Sequence, residues 1–224
     1  MGAKRVLSWC PSCQSQMDET WNGYRERSFS LEHITQYLME HADELKARWR
    51  KPLPRRVLVH AHSGYAEFGQ HVADLLSSIP HLEVVDTVVE SGYTCGVAGS
   101  ARAPKLNATD RGRLINKTSD EGIDAVVSLY HSCHRSLLAD QDALDAPVVN
   151  FTDLIVEALG GDPAPDRFAH LSRLSSADVM NETKDFLAAN GVSVDAQWFD
   201  ENLEDLFSMA EYRGGLECFA QARG

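Results

Sequence analysis

Four short stretches of this sequence carry residues able to bind a metal or move electrons. The first is Cys10-Pro11-Ser12-Cys13. Two cysteines at this spacing, after a strand and before a helix, suit two chemistries. Helix N-terminal amides stabilise a thiolate, making one cysteine a low-pKa redox nucleophile. Alternatively, both thiolates grip one metal ion or one cluster iron. The second stretch is Cys95-Gly96-Val97-Ala98-Gly99. Gly96 and Gly99 let backbone approach a cluster closely and donate amide hydrogen bonds to sulfur. In the third, His131 and His134 bracket Cys133, an arrangement for zinc, for a cluster, or for proton delivery beside one. The fourth is His60-Ala61-His62-Ser63-Gly64. Its histidines point the same way only where the strand continues through them. Each stretch also has an ordinary reading, as turn cysteines, a glycine-rich turn or surface histidines. Cys218 lies among Leu216 and Phe219 and reads as a small buried apolar residue.

The elements that must position these residues alternate. Lys4–Trp9 reads as a strand running into Cys10, and residues 13–24 as a helix. Residues 31–49 carry Leu31, Ile34, Leu38, Ala42, Leu45 and Trp49 at three- and four-residue steps, which predicts one long helix with Ser30 as its N-cap. Lys51-Pro52-Leu53-Pro54 ends it. Strands follow at 56–60, 82–89, 124–130 and 147–151, with helices at 66–78, 107–121, 136–144 and 152–159; Gly122 is a C-cap candidate. The rest reads as helix, with a turn at Asn190-Gly191. Strands alternating with helices predict an α/β fold, a mainly parallel Rossmann-like sheet with helices on both faces and a helical C-terminal extension. In such a sheet the loops after the strands share one edge, where ligands bind. All four stretches follow strands, so residues scattered from 10 to 134 can converge there.

Composition bounds the function. The 224 residues carry a net charge of −12, which excludes an ordinary nucleic-acid binder because phosphate contacts need a basic surface. No apolar run reaches spanning length and no secretion leader opens the chain, so a cytoplasmic protein without a transmembrane segment is expected. Five cysteines rule out complete internal disulfide pairing and read as metal ligands, redox groups or buried residues. Three segments are expected: 1–54, 55–160, and an acidic helical extension at 161–224.

Taken in order, the motifs resemble the cysteine-rich CCG domain family. Its members include the cysteine-rich catalytic subunit of heterodisulfide reductase and the iron–sulfur subunits of glycolate, lactate and glycerol-3-phosphate oxidising complexes. A family repeat has a Tyr-His-Asp-Pro-Cys-His-like turn, a Cys-Cys-Gly-x-x-Gly turn and a Cys-Pro-x-Cys turn. Val59-His60-Ala61-His62-Ser63-Gly64 matches the first, with Ser63 at a cysteine position. Thr94-Cys95-Gly96-Val97-Ala98-Gly99 matches the second, with Thr94 for its first cysteine. Tyr130-His131-Ser132-Cys133 matches the third, with Tyr130 for its first cysteine. The spacing agrees, with 30 residues between Ser63 and Thr94 and 34 between Cys95 and Tyr130. The opening through Cys13 looks like the end of a preceding repeat, so residues 1–54 resemble the close of a first repeat plus a linking helix, and 55–160 a cysteine-depleted second repeat.

The resemblance implies an iron–sulfur redox subunit. It would pass electrons between a partner flavoprotein or ferredoxin-like subunit and a disulfide or quinone-type acceptor, with a further chain carrying the missing first repeat. Cys10, Cys13, Cys95 and Cys133 are its expected metal ligands, for a [4Fe–4S] cluster or alternatively zinc. His60, His62, His131, His134, Gly96 and Gly99 are expected to line the cofactor. The substitutions at Ser63, Thr94 and Tyr130 keep open a cluster-free scaffold role, and Cys10 and Cys13 keep open a thiol–disulfide oxidoreductase.

Overall fold

The computed structural model describes residues 4–18, 28–92, 95, 104–120, 122–193, 197–198 and 200–202. Along the chain run β1 (Arg5–Ser8), α1 (Pro11–Gln16), β2 (Ser30–His33), α2 (Ile34–Glu40), α3 (Ala42–Lys46), β3 (Arg55–His62), α4 (Ala66–Ser77) and β4 (Leu82–Glu90). There follow α5 (Pro104–Asp120), β5 (Ala125–Ser128), α6 (His131–Ala139), β6 (Val148–Asn150), α7 (Phe151–Ala158), α8 (Arg167–Leu171) and α9 (Ser176–Ala189). Four strands form a parallel sheet in the order β4-β3-β5-β6, and β1 and β2 pair in parallel as a separate ribbon. The Rossmann-like parallel architecture is therefore present.

Residues 57–62 of β3 are buried without interruption, as a strand covered on both faces must be. Alternation sends Val57 and Val59 to one face, against Phe68, Val72 and Leu76 of α4 and Phe151, Leu154 and Ala158 of α7. Leu58 faces the other way, with Val88, Val126, Val148, Leu114 of α5 and Leu137 of α6. Ala42 and Leu53 join the first cluster, so residues before β3 pack on the same core. Among the described residues no helix is long and apolar enough to cross a membrane.

The N-terminal third differs from the periodicity. Residues 30–33 are strand, with Ser30 N–H donating to Lys4 O at 2.9 Å, and the helical stretch breaks at His41. Ser30 is thus no N-cap. His33 is, accepting from Thr35 N–H while the Gln36 side chain accepts from His33 N–H. Three- and four-residue spacing is a local signal, and it carries no trace of a pairing with β1 some 25 residues away. The helix expected at 136–144 starts instead at His131, because extended Tyr130 accepts from His134 N–H and opens the turn there. Of the helix expected at 13–24, residues 19–24 lie outside the described residues, as do Thr94, Gly96, Gly99 and Cys218. Gly122 follows α5 with φ +60°, the left-handed conformation expected of a helix stop.

One glycine sets the distance between α4 and the central strand. A Cβ at Gly69 would lie 2.4 Å from the Ala61 Cβ. Alanine would add about 1 kcal/mol of helix propensity, but forcing a methyl into packed contact costs about 1–3 kcal/mol. Overpacking wins: Gly69→Ala lowers the unfolding free energy by about 1 kcal/mol or more in denaturant titrations. Unchanged stability would show that α4 does not lie this close to β3.

Candidate metal centre

The sheet's carboxyl edge assembles the site. β3 continues through His62, so His60 and His62, two residues apart, lie on one face. The register sets His62 beside Glu90, the last residue of β4. Cys95 comes five residues later, and Cys133 is the third residue of α6, just past β5.

The Nε2 atoms of His60 and His62 and the Sγ atoms of Cys95 and Cys133 all lie within 4.8 Å of one another. His62 Nε2 is 3.3 Å from Cys95 Sγ and 3.3 Å from Cys133 Sγ. His60 Nε2 is 3.7 Å from Cys95 Sγ. Both histidines and Cys133 are fully enclosed, and Cys95 is 8% exposed. Burial pushes the Cys95 thiol up to about 12, with Cys133 adding to the rise. For His60, burial opposes the charge, yet Glu90 and Cys95 outweigh it and lift the imidazole to about 9. A metal ion binding here would displace those protons.

Behind these groups lies a buried chain of charges. Glu90 Oε2 is 3.2 Å from His60 Nε2. Arg111 of α5 donates from Nε to Glu90 Oε1 at 2.7 Å, from Nη1 to Asp140 Oδ2 at 2.5 Å, and from Nη2 to Ser136 Oγ at 3.1 Å and Cys95 Sγ at 3.5 Å. Burial alone would raise the Glu90 carboxyl, but Arg111 and His60 hold it well below the usual range. Sequence reasoning missed Glu90, Arg111 and Asp140. Glu90 had a signal: it falls two residues after Val88, on the strand's buried phase. Arg111 had the spacing to Leu114, three residues on, that places it on the same buried helix face.

The other expected residues separate from this group. Cys10 and Cys13 are not part of it. Cys10 caps α1, its Sγ accepting from Cys13 N–H at 3.4 Å. Cys10 is half-buried, Cys13 is exposed, and the Cys10 sulfur pushes the Cys13 thiol up. Trp9, beside them, stacks on Phe151. His131 is exposed and His134 bridges Ser128 Oγ at 2.9 Å and Asp166 Oδ2 at 2.6 Å. Both line a cavity of about 280 Å³ with Trp9, Asn150 and Asp166, so neither points its chemistry at the buried group. Ser63 accepts from Gly92 N–H at 3.1 Å. Tyr130 is 3% exposed, and burial raises its phenol, with Cys133 and, less strongly, Cys10 among the groups opposing its ionisation. Its ring meets His33 edge-on at 5.8 Å. His33 in turn ties the cysteine turn to β2: its Nε2 lies 3.2 Å from Trp9 O, while Nδ1 accepts from Thr35. That tautomer is neutral, and burial depresses His33 to about 4.

No protein-family model matches the chain. It is 29% identical over 173 residues to a subunit of the dihydromethanophenazine:CoB–CoM heterodisulfide reductase of Methanosarcina barkeri, and 30% identical to the same subunit from Methanosarcina acetivorans. These matches cover 71% of this chain and 42% of each relative. An uncharacterised iron–sulfur protein of Methanocaldococcus jannaschii is 31% identical over 137 residues, 57% of this chain and 25% of that protein. The chain thus spans about two fifths of the length of the heterodisulfide reductase relatives. It is similar to an iron–sulfur group of heterodisulfide reductase subunits; nothing in these matches singles out the CCG domain.

Two outcomes follow from the buried charges. Arg111→Met leaves Glu90 and Asp140 buried without their cation, and loses about 3–5 kcal/mol of stability by denaturant titration; a loss under about 1 kcal/mol would contradict the buried network. His33, depressed from 6.5 to about 4, binds fewer protons folded than unfolded between those values. Its stabilisation is therefore complete above pH 6.5 and is lost as pH falls towards 4, by on the order of 3 kcal/mol. Denaturation series on wild type and His33→Gln should differ by that slope; parallel curves would contradict the neutral, buried assignment.

Proposed function

We propose that this chain is an iron–sulfur redox subunit working like the heterodisulfide reductase subunits it resembles. It passes electrons between a partner flavoprotein or ferredoxin-like subunit and a disulfide or quinone-type acceptor. The carrying observation is the gathering of thiols and imidazoles at one sheet edge, in a chain similar over 173 residues to a heterodisulfide reductase component. Because the chain spans 42% of those relatives, the remaining parts of the machinery are assigned to other chains or segments.

The donor sets decide where iron–sulfur chemistry fits. A four-iron cube takes each ligand on its own iron, and the cluster body holds the ligand atoms well apart. Four donor atoms all within 4.8 Å do not fit that spacing, so no step is drawn through a cube on His60, His62, Cys95 and Cys133. Cys10 and Cys13 do fit as two thiolate ligands of a cluster. They are free, adjacent, and set at a helix N-terminus whose amides favour thiolate. The Cys13 thiol, held up by its neighbour, gives its proton most readily to a metal that binds both sulfurs. A [4Fe–4S] cluster there, completed by cysteines of a partner chain, would supply one-electron transfer. Trp9 and His33 hold the turn in place, and the cavity lined by His131 and His134 opens beside Trp9.

Anaerobic purification with its partner chains, followed by iron and sulfide assay and EPR, tests this. Iron and acid-labile sulfide are expected, and Cys10→Ser/Cys13→Ser should remove them. A colourless, iron-free complex that resists reconstitution would contradict the redox reading. If it still assembled, it would favour the scaffold role consistent with buried Tyr130. Activity abolished by alkylation of one thiol, without iron, would favour the thiol–disulfide alternative.

A further inference from the structure

We infer that His60, His62, Cys95 and Cys133 form a closed site for one zinc-class divalent ion, separate from any cluster on Cys10 and Cys13. The inference rests on side-chain geometry and not on the redox role.

Edge lengths point to a single ion. Zinc–sulfur bonds of about 2.3 Å and zinc–nitrogen bonds of about 2.0 Å at a tetrahedral angle put nitrogen and sulfur roughly 3.5 Å apart. The three nitrogen–sulfur distances here are 3.3, 3.3 and 3.7 Å. Two thiolates and two imidazoles are also the donor types that zinc prefers. With two thiolates and two neutral imidazoles, a divalent cation makes the site electrically neutral, which suits its burial.

Ring orientation is the second, independent observation. Each histidine turns Nε2 towards the sulfurs, and each leaves Nδ1 buried with no hydrogen-bond partner among the described residues. Buried polar atoms normally find partners. A ring free to choose would place its nitrogens to satisfy both, whereas a ring held by an ion through Nε2 has its direction fixed.

Glu90 and Arg111 complete the surroundings. Arg111 directs one N–H at Cys95 Sγ and two others at Glu90 and Asp140. A hydrogen bond to a ligating thiolate holds its sulfur in place and moderates its charge. Four protein ligands leave no open coordination position, so the ion ties the ends of β3 and β5 and the segment after β4 together and serves as a structural rivet.

The test uses the whole chain, purified without added metal and then titrated with zinc chloride or cobalt(II). Wild type and Cys10→Ser/Cys13→Ser should each bind one zinc per chain, with no sulfide in the double variant. Cobalt should give tetrahedral d–d absorption and a thiolate-to-cobalt charge-transfer band. Cys133→Ser and His62→Gln should each weaken zinc binding at least tenfold. The wild-type cobalt spectrum stands even where a variant fails to fold. Zinc binding well below one per chain, or an octahedral cobalt spectrum, overturns the inference. So does iron with sulfide that survives the double variant and disappears in Cys133→Ser. Absence of iron from wild type with zinc still bound would sink the redox reading alone and leave this one intact.

Discussion

A fully buried guanidinium governs the carboxyl edge of this sheet. Arg111 is 1% exposed and spans Glu90 and Asp140. Removing such a charge from water costs several kcal/mol, and only close pairing with further hydrogen bonds offsets it. The pairing fixes three elements together: the end of β4 through Glu90, α5 through Arg111 itself, and the end of α6 through Asp140 and Ser136. Glu90, kept ionised, faces His60, and Arg111 reaches Cys95. The positions of the metal-competent side chains therefore depend on a charge network that a purely apolar core would not need.

The same edge leaves polar atoms without protein partners. His60 Nδ1, His62 Nδ1 and the Tyr130 hydroxyl are buried with none among the described residues. A fold selected for stability alone would satisfy them, since each unsatisfied group costs about 1–3 kcal/mol. Their concentration beside Cys95 and Cys133 is what a site built around a ligand looks like. The apolar clusters on the two faces of β3 supply the stability that tolerates it. Gly69 lets α4 lie against Ala61, between the two histidines.

Much of this was legible in the sequence. The continuous apolar run of β3 and the strand–helix alternation after it pointed to the parallel sheet, and the rule that ligands gather beyond parallel strand ends located the chemistry. The β1–β2 ribbon was hidden, because Leu31 and Ile34 serve a strand and a helix with the same spacing. The grouping of ligands was hidden too. Sequence reasoning set Cys95 and Cys133 with Cys10 and Cys13 because all are cysteines at strand ends. In space His60 and His62, kept on one face by a strand that runs through them, reach Cys95 and Cys133 instead. Arg111 was invisible for a different reason: a lone arginine in a polar helix reads as surface until its two acidic partners, 21 and 29 residues away, are brought to it.

X-ray absorption at the zinc edge of the purified chain tests the central claim most directly. A single buried ion on His60, His62, Cys95 and Cys133 predicts a shell of two imidazole nitrogens at about 2.0 Å and two sulfurs at about 2.3 Å. A shell of four sulfurs, or a chain that holds no zinc, would contradict it.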